Sequence, residues 1–331
     1  MIYDPDARCE RWEQFVPEIM QEDIEKAKFF QKNLGYSLTG DTSQEGFTIF
    51  YGDKSRNGKG TCCETMLYIM GDYGRTAQPE TIAQKRYSNS GSPSEDIARL
   101  KGARFVNMSE PDRGLLLNAA LVKQLTGGDT VTARFLQQNS FEYKPEYKLF
   151  INTNHLPRIT DDSVFASGRV KLIPFERHFS ENEQDKGLKE FFRQPENMAG
   201  IFNWLLEGLK LMRVEGLKQP QSIIDAIEQY RKVSDTVGMF IEEALVEAIG
   251  SKMLIINVYP QFKKWSEKNG YGVLSNRNFI SELKRKGFKV DNSTGNKVHL
   301  FDYEFSKDYD LFHEINPYKH FSDITSFAVR N

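Results

Sequence analysis

Apolar residues between positions 8 and 35 recur every three or four residues, which predicts two short helices that end at Gly35. The run GFTIFYG follows and predicts a buried strand. This strand leads into a glycine-containing loop and then into KGTCCETMLYIMG, whose pattern is typical of a helix. A strand, a glycine loop and a helix in this order form the context that a phosphate-binding loop requires.

Strand-like and helical runs alternate through the middle of the chain. ARFVNMSE, TVTARF, FEYKPEYKLFINTN and VKLIPF predict strands, with a hairpin leading into a central strand, and GLLLNAALVKQL predicts a helix. Residues 84–96 are rich in Ser, Gly, Pro and Asn and predict an exposed loop. Strands separated by helices indicate an α/β fold with a mainly parallel sheet flanked by helices.

The pattern becomes helical from Glu183 onward, in the successive runs DKGLKEFFRQ, NMAGIFNWLLEGLKLMRVEG, IDAIEQYRKV and VGMFIEEALVEAI. A smaller unit from about Ser251 then shows a helix, a second helix and two short strands, which is the layout of a winged helix. We therefore predict a helical segment at 1–40, an α/β domain at 41–235 and a winged-helix-like domain at 236–331.

Composition and charge narrow the class of protein. The 331 residues are 39% hydrophobic and 27% charged, as in a soluble globular protein, and three cysteines are too few for a disulfide framework, so a cytoplasmic location is expected. The charged N-terminus is unlike a signal peptide, and no window approaches the roughly 18 apolar residues of a membrane helix, so no membrane partner is expected. The net charge of −2 conceals a basic region: between Lys252 and Lys297, ten basic residues oppose three acidic ones.

The stretch YGDKSRNGKGTCC departs twice from the standard phosphate-binding pattern. Five residues rather than four separate Gly52 from Gly58, and Gly60 stands where a hydroxyl residue is usual. Phosphate oxygens need backbone N–H donors, a free helix N-terminus and a cation, which Lys59 can supply. Thr61 can contact Mg²⁺ directly or through a water. Taken alone, such a short match fits an ordinary turn equally well.

Two more polar residues stand at predicted strand ends. Glu110 ends ARFVNMSE about 50 residues after the loop, and Asn154 follows the strand Leu149 to Asn152. The acid can polarise an attacking water and help to hold Mg²⁺, and the asparagine can hydrogen-bond both the γ-phosphate and the water. Each also has a plainer interpretation, as an exposed acid or as a turn cap. The loop, the acid and the asparagine in this order favour a nucleoside triphosphatase.

Five ordered blocks carry a resemblance to a known family: RNGKGT, VNMSE, KQLTGGDTVTARF, EYKPEYKLFINTNHLP and SGRVKLIPFERHF. Together they resemble superfamily 3 AAA+ helicases, and more narrowly the helicase half of phage, plasmid and poxvirus-type primase-helicases. The resemblance is nearly continuous from about residue 8 to 190. It implies an AAA+ (P-loop) fold and an ATP-dependent DNA helicase that works as an oligomeric ring, a hexamer by this expectation, in replication of a phage, plasmid or other mobile element. A bacterial host cell follows from that expectation.

The resemblance also implies roles for individual residues. The residues implied to bind ATP are Asn57, Gly58, Lys59, Gly60 and Thr61. The residues implied to be catalytic are Lys59, Glu110, Asn154 and Arg169, with Thr61 and Glu110 at Mg²⁺ and Asn154 as sensor. KQLTGGD (123–129) corresponds to the extra motif of the family, and Arg169 stands where the family places an arginine finger that reaches a neighbouring subunit. A surface ion pair is the alternative role for Arg169.

A translocating ring holds single-stranded or forked DNA through cations and stacking side chains on a hairpin. In this family the hairpin precedes the sensor strand, which makes Arg134, Phe135 and Lys144 the candidates and Lys148 a weaker one. The basic C-terminal unit offers a second surface, through Arg277, Lys284, Arg285 and Lys286. A solvated helix face or a protein-binding role explains that surface equally well.

Departures from the family pattern leave other functions open. Ser109 stands where many members have a second acid, so Mg²⁺ is expected to rest mainly on Thr61 and waters. There is no room before residue 8 for a primase half, so the chain is expected either to be a helicase-only protein or fragment, or to obtain primer synthesis from a separate primase or other replication partner. A replication initiator whose ATP site only switches conformation is one alternative. A small-molecule phosphotransferase is another, because Lys-Gly-Thr after a glycine loop also occurs in nucleoside monophosphate kinases.

Overall fold

Residues 3–84, 94–112, 114–293, 297–306 and 309 are described by the structure, which is a computed structural model. The chain divides into two units, Met1–Ser234 and Asp235–Asn331. The exposed loop predicted at 84–96 falls for the most part outside the described residues.

The strands and helices have the following bounds. In chain order the strands are β1 (Phe47–Tyr51), β2 (Gly74–Ala77), β3 (Phe105–Ser109), β4 (Val131–Ala133), β5 (Phe141–Tyr143), β6 (Lys148–Thr153), β7 (Val170–Pro174), β8 (Leu245–Leu254), β9 (Val290–Ser293) and β10 (Lys297–Phe305). The helices are α1 (Glu10–Ile19), α2 (Ile24–Tyr36), α3 (Lys59–Met70), α4 (Glu95–Ala98), α5 (Ala119–Thr126), α6 (Ser163–Ala166), α7 (Leu188–Arg193), α8 (Pro195–Glu215), α9 (Gln221–Ser234), α10 (Thr236–Ala244), α11 (Ile255–Lys268) and α12 (Asn276–Arg285).

A five-stranded parallel sheet in the order β2-β3-β6-β1-β7 forms the centre of the first unit. The mainly parallel sheet flanked by helices that the sequence predicts is therefore confirmed. Both faces of the sheet are covered, which explains why β1 reads as a continuous apolar run. Phe47 and Ile49 pack into one hydrophobic core and Phe50 into the other, because successive side chains of a strand point to opposite faces.

The two N-terminal helices share a hydrophobic core with this sheet. Trp12 lies 5.2 Å from Phe192 and 5.7 Å from Trp204, measured between ring centroids, and belongs to the same cluster as Phe50. Trp12 is fully buried, and burying a large apolar side chain contributes about 1.5–3 kcal/mol. α2 begins at the N-cap Asp23, whose side chain accepts a hydrogen bond from the backbone N–H of Lys26.

Two predicted elements differ from the structure, and one strand has no counterpart in the prediction. The run Leu115–Leu117 is not helical, because the Asn118 side chain caps α5 and starts the helix only at Ala119. The sequence VEAI, predicted as helix, belongs to strand β8, where pairing with β10 overrides its helical pattern. β2 was not predicted, since a four-residue polar edge strand gives little pattern.

The second unit has the order helix, strand, helix, helix, strand, strand. Its strands form an antiparallel sheet in the order β8-β10-β9. The helices pack through aromatic rings: Phe262 stacks on Phe279 with 4.5 Å between ring centroids, and Phe240 contacts both. The predicted succession of two helices and a hairpin is present, preceded by α10 and β8.

Candidate nucleotide site

The glycine-containing loop lies between the carboxyl end of β1 and the first turn of α3. The Asn57 side chain organises it: Asn57 Nδ2 donates to the carbonyl oxygens of Lys54 (2.7 Å) and Phe175 (3.3 Å), and Asn57 Oδ1 accepts from the backbone N–H of Lys59 (3.4 Å). Gly58 is the N-cap of α3 and has a φ of +89°. A Cβ at Gly58 would lie 2.6 Å from Ile19 Cγ2, so the loop requires glycine there.

The segment that follows β7 supports this loop, a contact that the sequence pattern does not predict. The backbone N–H of Phe179 donates to the Arg56 carbonyl oxygen at 2.9 Å, and His178 Nδ1 lies 2.8 Å from the Ser55 carbonyl oxygen. β7 pairs in parallel with β1, so its carboxyl end meets the loop at the same edge of the sheet. This contact follows because the strands VKLIPF and GFTIFYG pair side by side in the sheet.

Lys59 and Asn154 come together as predicted for a shared site. Lys59 Nζ donates to Asn154 Oδ1 at 3.0 Å and to the Gly52 carbonyl oxygen at 3.2 Å. Lys59 is buried, and burial lowers its pKa to about 8, although Cys63, Asp53 and Glu110 act in the opposite direction. A bound polyanion would favour the charged ammonium and raise this pKa again.

Glu110 stands at the carboxyl end of β3, which lies next to β6 in the sheet. Its side chain is exposed, and its backbone N–H donates to the Asn152 carbonyl oxygen at 2.9 Å. Glu110 has a φ of +54° and Arg56, on the nucleotide loop, a φ of +59°. Left-handed backbone in non-glycine residues costs energy and clusters at functional sites. Two such residues therefore border the same site.

The hydroxyl and carboxylate predicted to hold Mg²⁺ are both available. Thr61, in the first turn of α3, is half-buried, and a Cβ at Gly60 would meet nothing within 4 Å. Within the described residues, no group of three or more His, Cys, Asp or Glu could hold a metal ion by itself. Mg²⁺ takes few protein ligands and completes its shell with phosphate oxygens and waters, so a hydroxyl and a carboxylate could hold it together with a nucleotide.

A cleft of about 360 Å³ opens beside the loop and the start of α3. Gly58, Gly60 and Thr61 form its border with the loop. The remaining walls include two aromatic rings, several cations and an amide: Phe15, Phe179, Arg11, Arg56, Lys189 and Gln184. Of the described charged side chains that line the cleft, four are cations and two, Glu183 and Asp185, are carboxylates, so positive charge predominates beside the loop.

Arg169 lies apart from this site in its own chain. It directly precedes β7 and so stands at the amino edge of the sheet, whereas the loop lies at the carboxyl edge. The paired length of β1 and β7 separates the two by about 13 Å. Arg169 Nη2 forms an ion pair with Glu45 Oε2, and Nη1 donates to Thr126 Oγ1 at 3.3 Å. Arg169 thus does not reach the loop of its own chain, and its role in a neighbouring subunit stays a prediction.

The predicted hairpin is formed by β4 and β5, which pair from Val131↔Tyr143 to Ala133↔Phe141. Of the predicted DNA contacts, Lys144 is exposed at the end of β5, whereas Arg134 and Phe135 are half-buried. Phe135 stacks on Phe141 with 5.8 Å between ring centroids. The exposed tip of the hairpin spans 136–140 and was not identified from the sequence. Knowledge of which residues of β4 and β5 pair is what locates it.

Two further lysines singled out from the sequence have internal partners. Lys123, in KQLTGGD, forms an ion pair with Asp161 at 2.7 Å. Lys148 was a weak candidate for DNA, and that prediction is wrong for this structure: it is buried and donates to the Thr39 carbonyl oxygen. Its side chain also lies 4.4 Å from the centre of the Tyr36 ring.

In the second unit, part of the basic surface is neutralised internally. Arg285 pairs with Glu282 at 2.6 Å, and Lys286 pairs with Asp235. Arg277 and Lys284, also on or beside the exposed face of α12, have no ion pair with another described residue. These two cations carry the charge of the helix face.

Comparison with known proteins connects both units to viral replication proteins. Residues 232–326 match the protein family described as "Poxvirus D5 protein-like". The chain is 28% identical over 284 residues to "Putative helicase L207/L206" of Acanthamoeba polyphaga mimivirus, covering 79% of this chain and 29% of that protein. It is 27% identical over 260 residues to "Putative helicase 022R" of Frog virus 3, covering 73% of this chain and 26% of that protein.

A third relative is "Putative primase C962R" of African swine fever virus, 22% identical over 230 residues, covering 64% of this chain and 24% of that protein. The chain thus spans between a quarter and a third of the length of the first two curated relatives. These relatives come from large DNA viruses of eukaryotes and give no support to the expected bacterial host. No helix in the described part of the chain is long and apolar enough to cross a membrane.

The fold has a solved counterpart in the "apo structure of NrS-1 C terminal region", with a TM-score of 0.53 and 13% identity, covering 91% of this chain and 79% of that one. At this identity the likeness concerns the fold alone. The family match falls in the C-terminal unit, outside the region of about residue 8 to 190 that carries the sequence resemblance. By its D5-like region and its viral relatives, the chain is similar to the poxvirus-type primase-helicases of large DNA viruses.

Proposed function

We propose that this chain is the ATP-hydrolysing part of a replicative DNA helicase of superfamily 3. One observation carries the proposal: Lys59 Nζ and Asn154 Oδ1 lie 3.0 Å apart at the carboxyl edge of the sheet, where Glu110 ends the neighbouring strand. A cation, an amide and a carboxylate at the end of three adjacent parallel strands are the groups that phosphoryl transfer to water needs.

Each residue has a role that follows from its position. Lys59 and the backbone N–H groups at the start of α3 hold the terminal phosphates, and Asn154, whose Oδ1 accepts from Lys59, reports the γ-phosphate by donating from Nδ2 to a phosphate oxygen. Glu110, exposed at its strand end, orients the attacking water. Mg²⁺ bound with the nucleotide would supply charge neutralisation at the phosphates, and Thr61 and Glu110 would hold it.

The cleft beside the loop is where the nucleoside would lie. Its border shares Gly58, Gly60 and Thr61 with the phosphate site, so one ligand can occupy both. Phe179 offers apolar surface to a base, and Arg11 and Gln184 offer polar atoms. A volume of about 360 Å³ is in the range of ligand pockets.

The position of Arg169 favours an oligomeric ring. It stands at the amino edge, away from the nucleotide of its own chain, so it can complete a site only in a neighbouring copy. A cation delivered in trans stabilises the charge of the transition state and couples hydrolysis to subunit movement. We propose a hexamer on the basis of the family resemblance.

Two surfaces would hold single-stranded or forked DNA. The tip of the β4–β5 hairpin and Lys144 form the first, and the winged-helix-like second unit, through Arg277 and Lys284 on α12, forms the second. The second surface also favours an alternative function, a DNA-binding initiator whose ATP site switches conformation without unwinding. A separate primase is a further proposed partner, because relatives of this chain include a protein named as a primase.

ATP hydrolysis measured with and without single-stranded DNA, in the wild type and in Lys59→Ala, tests the proposal. We expect DNA to stimulate turnover and the Lys59 substitution to abolish it. Turnover that ignores DNA and depends on AMP or another phosphate acceptor would replace the helicase with a phosphotransferase. Hydrolysis and DNA binding without separation of a forked duplex would favour the initiator.

A further inference from the structure

The amino edge of the parallel sheet holds two buried lysines that make no ion pair with a described carboxylate. Lys148 and Lys171 each expose 7% of their surface. Lys148 Nζ donates to the Thr39 carbonyl oxygen, and Lys171 Nζ donates to the carbonyl oxygens of Gln44 and Glu45, each at 3.0 Å. Burying an ammonium group costs free energy. Two buried lysines that donate to backbone carbonyl oxygens are therefore expected to hold the segment that carries those oxygens in place.

Both lysines hold one segment, residues 39–46, which connects α2 to β1. The end of this segment runs directly against Arg169. The backbone N–H of Phe47 donates to the Arg169 carbonyl oxygen at 2.9 Å, and a Cβ on Gly46 would lie 2.3 Å from that same oxygen. Gly46 has a φ of +128°, so this approach requires glycine. The segment is therefore fixed relative to the backbone of Arg169.

Glu45, on this segment, forms the ion pair with the Arg169 guanidinium, and Thr126 accepts a second N–H. The side chain of Arg169 is 14% exposed and that of Glu45 is 48% exposed. A guanidinium carries five N–H donors. These two contacts engage two of the five donors, and the side chain keeps part of its surface exposed, so Arg169 can keep Glu45 and still donate to a phosphate oxygen.

We infer that Glu45 is a positioning residue for Arg169, and that the lysine-anchored segment 39–46 fixes the Glu45 carboxylate. The inference rests on the proposed function, in which Arg169 reaches the nucleotide of a neighbouring subunit. An arginine side chain loses conformational entropy when it is held in one geometry. If the Arg169 side chain is already held before the reaction, this entropy is not lost on reaching the transition state. A donor that is preorganised in this way stabilises the transition state most.

The test replaces Glu45 with Gln, which keeps the shape and removes the charge, and uses Glu207→Gln as a matched control. Glu207 forms an exposed ion pair with Lys210 at 3.0 Å on α8, so this substitution also removes a carboxylate from an ion pair, but one that does not involve Arg169. For Glu45→Gln we expect kcat to fall about ten- to a hundredfold, with KM for ATP and oligomer size unchanged. Glu207→Gln is expected to stay near the wild type.

A double-mutant cycle with Arg169→Ala separates positioning from a general structural effect. If Glu45 acts through Arg169, then Glu45→Gln adds no further loss in the Arg169→Ala background. An equal loss in both backgrounds, or an unchanged or raised kcat for Glu45→Gln while Arg169→Ala is inactive, overturns the inference. Full activity of Arg169→Ala would instead remove the finger from the proposed function, so the two failures are distinguishable.

Discussion

Two glycines of the nucleotide loop differ sharply in the room they leave for a side chain. A Cβ added to Gly52 would lie 2.2 Å from Asn57 Nδ2 and 2.5 Å from the Phe175 carbonyl oxygen. A Cβ added to Gly60 would meet nothing within 4 Å. We therefore predict that Gly52→Ala destroys nucleotide binding and that Gly60→Ala, a substitution of the same kind eight residues further along, does not.

The magnitude follows from what the extra methyl displaces. It pushes away the Asn57 amide, whose hydrogen bonds to the carbonyl oxygens of Lys54 and Phe175 contribute about 1 kcal/mol each. The overpacking itself costs about 1–3 kcal/mol. Together these place the binding-competent loop roughly 3–5 kcal/mol higher in free energy, which corresponds to a loss of about 10²- to 4 × 10³-fold in ATP affinity.

The assay is isothermal titration with an ATP analogue, with thermal unfolding measured in parallel to verify that each variant folds. Gly60→Ala should bind within about 0.5 kcal/mol of the wild type. Wild-type affinity in a folded Gly52→Ala protein would refute the proposed loop geometry. An equal loss in Gly60→Ala would show that the packing around Gly52 is not the cause.

Further predictions concern the metal, the buried lysine and the basic helix. Thr61→Val is expected to reduce Mg²⁺-dependent hydrolysis at least about tenfold. Adding Gly60→Ser, which restores a hydroxyl at the usual place, should recover part of that hydrolysis in a Mg²⁺ titration. No recovery would count against a metal role for these positions. Burial lowers the pKa of Lys148 to about 7, so between about pH 7 and 8.5 the unfolded chain binds more protons than the folded one and stability rises with pH. In urea unfolding, this rise should be smaller in Lys148→Met. An unchanged pH dependence in that variant would contradict the assignment. Arg277→Ala should reduce the salt dependence of DNA affinity by about one unit of slope, whereas Arg285→Ala, already paired with Glu282, should reduce it less, and equal effects would argue against the α12 face as the contact.

Elements with strong local patterns were predictable. β1 and α3 follow from an uninterrupted apolar run and a glycine loop, and the parallel sheet follows from strands that alternate with helices. The helix-to-strand change at Leu245 was not predictable, since its sequence keeps a helical pattern and only pairing with β10 fixes the strand. β2 is likewise defined by its neighbour β3 and not by its own residues.

The candidate site was predictable in its members but not in its supports. Asn154 directly follows β6 and Lys59 follows β1 through the glycine loop, so a parallel sheet brings both to its carboxyl edge, and the pairing of β1 with β6 then lets them meet. The contacts of Phe179 with the loop, and of Glu45 with Arg169, join residues more than 100 positions apart. Such pairs depend on the order of strands in the sheet, which one sequence does not specify.

The central claim is that ATP hydrolysis at Lys59 drives the separation of DNA strands, and forked-duplex unwinding tests it most directly. The measurement compares ATP with a non-hydrolysable analogue, in the wild type and in Lys59→Ala. We predict strand separation only with ATP and only in the wild type. Hydrolysis without unwinding, or unwinding that persists with the analogue or in Lys59→Ala, would contradict the account.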